Sequence, residues 1–422
     1  MNYETEYLFH LFSCGVFGIP AEPPKKDVDW ENIISVASEQ SVTYIVGMAL
    51  KNSDTGCPES IKKRVVASTL GGSLKNVIRL SGILEILSRM ERAGIHVTVL
   101  KGISVAKYYK NPECRVSADI DLLVSPSSEN DALEFLKNEG FRIQPRKPVT
   151  NHSVCTHPEL GIAELHISLW ENGLEDVVLK NSDIKKLPVK DRQSHYLDYD
   201  YYELDADINL MLLTTHLLKH FVIGGVSMRM IADIALFLKY KSAEADTGLC
   251  AEYLKKTGYF YTMQVILGFA VKYFGFSKED FPFEVSENED DINMLADDLE
   301  TGGFEGLKEE EERYGAVYYY RNKSALTESN GKKRIFKILS GNFLSVLHGI
   351  FLPVAEMQKI YPVLKKHRWL YPFCMVHRII TRGFSALTHK SFKNPELVLN
   401  EEKLSDESKK RVEMFRRFGL IK

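Results

Sequence analysis

The segment Ala118-Asp-Ile-Asp-Leu-Leu-Val constrains the fold more than any other stretch of the 422-residue chain. Acidic and apolar residues alternate in it, and on a β-strand residues i and i+2 share a face. Asp119 and Asp121 therefore point one way while Ile120 points into a core. Two carboxylates placed so close repel each other unless a cation lies between them. Hard oxygen ligands favour Mg²⁺, or Mn²⁺, and Mg²⁺ shared between carboxylates and phosphate oxygens is the usual arrangement in phosphoryl chemistry. Asp-x-Asp alone is a weak signal, because acids at turn edges are common. Its setting inside an apolar strand makes it specific.

The flanking sequence supplies what such a site needs. Upstream, Val97-Thr-Val-Leu reads as a strand, Lys101-Gly102 as a turn and Ile103-SVAKYY as a helix. Gly102 lets backbone approach a ligand closely, and a helix N-terminus offers N–H groups to an anion. Lys101 adds a positive charge at that end, Ser104 a hydroxyl, and Arg115 a guanidinium four residues before Asp119. Read without a ligand, Lys101-Gly102 is a strand-to-helix turn and Arg115 an ion-pair partner. Downstream, Ile162-AELHISLW reads as another strand, so Glu164 and His166 also share a face. Glu164 is the natural third carboxylate. His166 competes with it as a metal ligand, as a base for an acceptor hydroxyl, or as the partner that orients Glu164.

Around this centre the chain divides by texture. Residues 1 to about 93 look helical, with a stripe at Leu80, Ile83, Leu84, Leu87 and Met90 closed by Gly94. From Ile95 short apolar runs alternate with turns, including HVTVL, GFRIQ and SVCTHP, and a helix is expected from about Ser128 to Asn138. That interleaving predicts a small mixed sheet with packed helices, an α+β or α/β unit. Beyond Leu204 the stripes are helical again, with Gly224-Gly225 as a break and further helices at about 249–274. The expected organisation is an N-terminal helical segment over 1–74, a core over 75–204 and a larger helical region over 205–422. On its helices His216 and His220, and Arg229 and Asp233, stand at i, i+4. Arg229 and Asp233 read as a helix ion pair. The two histidines read as polar residues packed over the site; if this half folds back, His216, His220 or Arg229 can touch nucleotide or acceptor. An acidic stretch over 284–313 reads as a solvated face, and a basic, aromatic tail over 331–390 as a helical surface or a contact for that stretch, with a track for a nucleic-acid backbone as the alternative.

Composition narrows the classes further. A net charge of −3 makes the whole molecule an unpromising polyanion binder. Six cysteines without a CxxC pair read as reduced, mostly buried thiols. The N-terminus lacks the basic region of a signal peptide, and no apolar run reaches membrane-spanning length, so a cytoplasmic protein without a membrane partner is expected.

The order LKGISVAKYY, PECRVSADIDLLV, AELHISLW, then HLLKHF and RMIADIALFL resembles the bacterial uncharacterised nucleotidyltransferase family, within the polymerase β-type superfamily. The resemblance implies a polymerase β-like core that transfers a nucleotidyl group from a nucleoside triphosphate, with Asp119 and Asp121 as metal ligands, Gly102 as the phosphate-loop glycine and Glu164 as the third acid. The commoner superfamily turn is Gly-Ser or Gly-Gly; here Ile103 follows Gly102. The acceptor, whether a small molecule, a peptide or an RNA end, is not implied. Two other readings share the motifs: a non-catalytic nucleotide-binding regulator and a kinase that transfers the γ-phosphoryl group.

Overall fold

The structure, a computed structural model, describes residues 1–300 except 145, 147–149, 171–177 and 179–182, and then 361, 367–371, 374, 377 and 404–421. The chain separates into two compact units, residues 1–307 and 308–422. In the second unit the described part includes a helix, Asp406–Arg417, with Ser405 as its N-cap. Most of the basic, aromatic stretch over 331–390, and the acidic stretch beyond residue 300, lie outside the described residues.

The first unit opens with helices α1 (Tyr3–Phe17), α2 (Trp30–Glu39), α3 (Thr43–Lys51) and α4 (Glu59–Arg92). Helix α4 is continuous through residue 74. It ends in a Schellman turn: Gly94 takes φ 81°, the Ile95 N–H bonds to Met90 O and the Gly94 N–H to Glu91 O. The expected stripe is its buried face, with Leu84 and Met90 fully inaccessible.

A seven-stranded mixed sheet follows. Its strands are β1 (Thr98–Leu100), β2 (Asp119–Leu123), β3 (Arg142–Gln144), β4 (His152–His157), β5 (Gly161–His166), β6 (Asp191–Tyr196) and β7 (Tyr199–Leu204). Their spatial order is β3-β4-β5-β2-β1-β7-β6, so the Asp-x-Asp strand is central. It runs antiparallel to β1 and parallel to β5. Ile120 and Leu122 on its inner face join Ala163, Leu165 and Cys155 in one core with the α4 stripe. Helix α6 (Glu129–Asn138) contributes Ala132 and Leu136 to the same core. The sheet alternation therefore works as expected, with apolar residues toward the helices and Asp119 and Asp121 on the opposite face.

Two local differences from expectation have physical causes. The helix after Gly102, α5, covers only Ile103–Ala106. It tightens at once into i→i+3 bonds, Tyr108 N to Val105 O and Tyr109 N to Ala106 O. The hairpin β6–β7 was not expected as strands. Its turn is Leu197-Asp198, both at positive φ, where Asn-Gly would be the usual marker.

After the sheet come α7 (Ala206–Ile223), α8 (Met228–Lys241), α9 (Thr247–Thr257), α10 (Phe260–Phe274) and α11 (Glu289–Glu300). Ile208 and Leu212 of α7 pack on Leu100, Leu123 and Leu204, which brings this helix over the acidic face of the sheet. Cys14, Cys114, Cys155 and Cys250 are buried thiols, and none of the six cysteines forms a disulfide. No helix among the described residues is long and apolar enough to cross a membrane.

Candidate active site

Helices α7 and α8 roof a cleft of about 300 Å³ whose floor holds Asp119 and Asp121. Leu213, His216, Leu217 and His220 face it from α7, at helical i, i+3, i+4, i+7 spacing, and Arg229 and Asp233 face it from α8. Lys101 and Gly102 form one end, and the Gln40-Ser41 turn after α2 adds a further wall. The second half of the first unit does fold back over the acidic strand.

Register builds the floor. Asp121 is aligned with Leu100 on β1 and with Glu164 on β5. Lys101 Nζ lies 3.1 Å from Asp121 Oδ2, and His166 Nε2 donates to Asp121 Oδ1 at 3.0 Å. Burial works to raise the Asp121 carboxyl, yet Lys101 and His166 outweigh it and hold the group well below the usual carboxylate range. Glu164, 3.6 Å from the same His166 nitrogen, is also held low, first by that contact. Burial disfavours the His166 imidazolium, but its two carboxylate partners prevail and raise its pKa. The Ser117 hydroxyl donates to Asp119 Oδ1 at 3.1 Å.

The turn is strained where a ligand would approach. Lys101 takes φ 48° and Gly102 takes φ 39° and ψ −93°. A side chain rarely tolerates such values, and consecutive outliers of this kind concentrate at functional turns.

The expected residues do not all meet. Lys101, Gly102, Arg115, Asp119 and Asp121 line the cleft. Glu164 and His166 lie behind Asp121, outside that lining, and touch the floor through His166. Ser104 is fully buried, and its hydroxyl accepts from Asn209 Nδ2 at 3.2 Å rather than facing the cleft. Arg115 is buried too, and its guanidinium grips Asp233 through Nη2 at 2.6 Å and Nε at 3.3 Å. Asp233 also accepts from Tyr109 Oη at 2.7 Å. Its carboxylate thus serves Arg115 and Tyr109, and the helix ion pair expected between Arg229 and Asp233 is not formed. Arg229 instead donates to the Val116 carbonyl.

A family model described as an uncharacterised nucleotidyltransferase matches residues 26–275, more than half of the chain. The chain belongs to the uncharacterised nucleotidyltransferase family. No curated protein and no solved structure gives a match. Membership assigns nucleotidyl transfer as the reaction class and a nucleoside triphosphate as the substrate class. The matched span takes in α2 to α10, hence the acidic strand, the strained turn and the roof helices together.

Several supporting residues of this family member carry no motif in the sequence. Arg79 on α4 donates from Nη1 to Ser117 O at 2.7 Å and from Nη2 to Asp119 O at 3.3 Å, fixing the backbone that enters β2. Asn76 bonds Glu113 O at 3.0 Å. Both sit on one long helix far in sequence from the acids, so only the packing of α4 reveals them. His152 is aligned with His166 across β4–β5. Its signal was present in the hairpin register, which runs symmetrically about residue 159, but reading it required both strands to be placed first.

Proposed function

We propose that this chain is a divalent-metal-dependent nucleotidyltransferase of the polymerase β type, acting on an acceptor hydroxyl held in the cleft. The acceptor oxygen bonds to the α-phosphorus, the α–β anhydride breaks, pyrophosphate leaves, and the hydroxyl proton is lost. The observation that carries this reading is the floor: Asp119 and Asp121 share one face of the central strand at the base of a roofed cleft, and Glu164 is aligned beside Asp121, just behind that floor. Such a donor set fits Mg²⁺ or Mn²⁺, since its oxygens are hard and its charges repel when alone. An ion held by Asp119, Asp121 and Glu164 would supply positive charge to the triphosphate and make the acceptor hydroxyl easier to ionise.

The protein's own groups do the rest. Lys101 balances Asp121 in the free protein and moves to the triphosphate when a cation takes its place. Arg229, whose charge is disfavoured by burial and by nearby Arg115, gains an anionic partner when the phosphates enter. His166 keeps Asp121 oriented, a positioning role that its place behind the floor favours over that of base. Arg115, tied to Asp233, shapes the wall. The Lys101-Gly102 turn holds the phosphates in line by close backbone approach.

The test is calorimetric titration of ATP, GTP, CTP and UTP with Mg²⁺ on wild type and on Asp119→Asn/Asp121→Asn. Metal-dependent binding of at least one nucleotide, lost in the double variant with the melting temperature retained, is the expected result. Binding that survives in the variant would sink the assignment. Product analysis across small-molecule, peptide and RNA acceptors then separates the chemistries: pyrophosphate marks nucleotidyl transfer, ADP a kinase, and binding without turnover a regulator.

A further inference from the structure

Behind the acidic floor, His152, Glu164 and His166 bring three donor atoms within 4.8 Å of one another. None of the three lines the cleft. Their meeting follows from register: β4 and β5 set His152 against His166, and β5 carries Glu164 on the same face two residues away. Glu164 Oε2 stands 3.8 Å from His152 Nε2 and 3.6 Å from His166 Nε2. Asp121 Oδ1, 3.0 Å from His166 Nε2, adjoins this cluster without belonging to it. Metal–nitrogen bonds of about 2.0–2.1 Å put tetrahedral donors roughly 3.3–3.4 Å apart, so Glu164 stands a few tenths of an ångström beyond the separation that an ion would set.

A second observation points to a ligand. His152 Nδ1 faces Asn151 Oδ1 at 3.3 Å, and Asn151 Nδ2 is itself tied to the Ser168 carbonyl at 2.7 Å. An amide oxygen can only accept, so this contact puts a proton on His152 Nδ1 and leaves Nε2 as the ring nitrogen that faces Glu164. Outer partners of this kind orient metal-binding imidazoles.

The geometry points to a second, nitrogen-rich cation site in this chain, formed by His152, Glu164 and His166 with Asp121 at its edge, that takes a first-row transition ion such as Zn²⁺, Co²⁺ or Mn²⁺ in preference to Mg²⁺. Two imidazoles set that preference, since nitrogen donors suit transition ions whereas Mg²⁺ keeps to oxygen and water. On binding, the His166 Nε2 proton leaves to solvent and a nitrogen–metal bond replaces the hydrogen bond to Asp121. The site shares Glu164 with the proposed Asp119–Asp121 set, so one ion at a time can use that carboxylate; it goes beyond the nucleotidyl-transfer reading and stands without it.

The experiment is a nucleotide-free Co²⁺ titration of the full chain, followed by visible absorption and by histidine proton resonances. The wild type should bind Co²⁺ with a ligand-field band and shift two histidine signals, and a Mg²⁺ excess should not displace it. Partner substitutions in known metal sites already cost about 10–100-fold in affinity. Asn151→Ala should weaken Co²⁺ by that order and His152→Gln by more, and the two histidine shifts should persist in Asp119→Asn. Equal Co²⁺ affinity in wild type and His152→Gln overturns the site, as does loss in Asp119→Asn alone, which would place the ion on the Asp pair. If His152→Gln does not fold, unshifted histidine signals in the wild type overturn it equally. Because no nucleotide is present, failure of the proposed transferase activity leaves this result readable.

Discussion

Gly102 shows how one residue can be both legible in sequence and decisive in structure. The Lys-Gly pair marks a turn, but not that both residues adopt positive φ. A Cβ added at Gly102 would meet Arg115 Nη1 no closer than 3.7 Å, so space is not the obstacle. The backbone is: φ 39° with ψ −93° is closed to L-residues. Gly102→Ala should therefore lower stability by about 1–3 kcal/mol, measured by urea denaturation, and weaken Mg²⁺-nucleotide binding as the turn relaxes. Full binding with unchanged stability would show that the turn tolerates a side chain and is no phosphate cradle. Asp119 and Asp121 were readable as a pair because strand periodicity alone fixes their common face. Ser104 was not, because its burial under Asn209 depends on where α7 lands.

At the scale of elements, the segment between α5 and β2 has little regular structure yet must aim the acids. It is held from two sides. Helix α4 grips it through Arg79 and Asn76, and α8 through Arg229 and the Arg115–Asp233 pair. The pair is almost wholly inaccessible, at 7% and 8% side-chain exposure, so solvent cannot compensate a lost partner. Asp233→Ala leaves a buried guanidinium and should cost about 3–5 kcal/mol, read as a lower denaturation midpoint with cooperativity kept. An Asp233→Ala protein as stable as wild type would mean that water reaches Arg115 readily. The long elements of this frame were legible, since the α4 stripe, the Asp-x-Asp strand and the α7 and α8 patterns carry many apolar positions in phase. The β6–β7 hairpin was not: its strands are rich in polar and tyrosine residues, and its turn lacks a glycine.

For the whole molecule, the cleft couples stability to pH. His216 and His220 press into the roof with ring centroids 4.5 Å apart. Burial pushes the His220 pKa from 6.5 down to about 3 and that of His216 well below its ordinary value. Between those limits the unfolded chain binds the proton and the folded one resists it. Stability is therefore present above the ordinary imidazole value and erodes as pH falls below it, toward about 3 for His220. His216→Gln/His220→Gln should flatten that slope between pH 5 and 7 in urea titrations. An identical slope in the variant would mean that the rings are solvated. The sequence by itself determined the periodic features: which residues form the central strand, that its two acids share a face, that a glycine turn precedes it, and that helices flank the sheet. These follow from local geometry, in which a period of 2 or 3.6 fixes direction without reference to the rest of the chain. Only the tertiary structure decided the rest, namely that α7 and α8 roof the acids, that Arg115 belongs to Asp233, and that His152 meets Glu164 and His166. Those meetings depend on strand register and helix placement, which are set by the collective burial of a core whose contacts join residues distant in sequence.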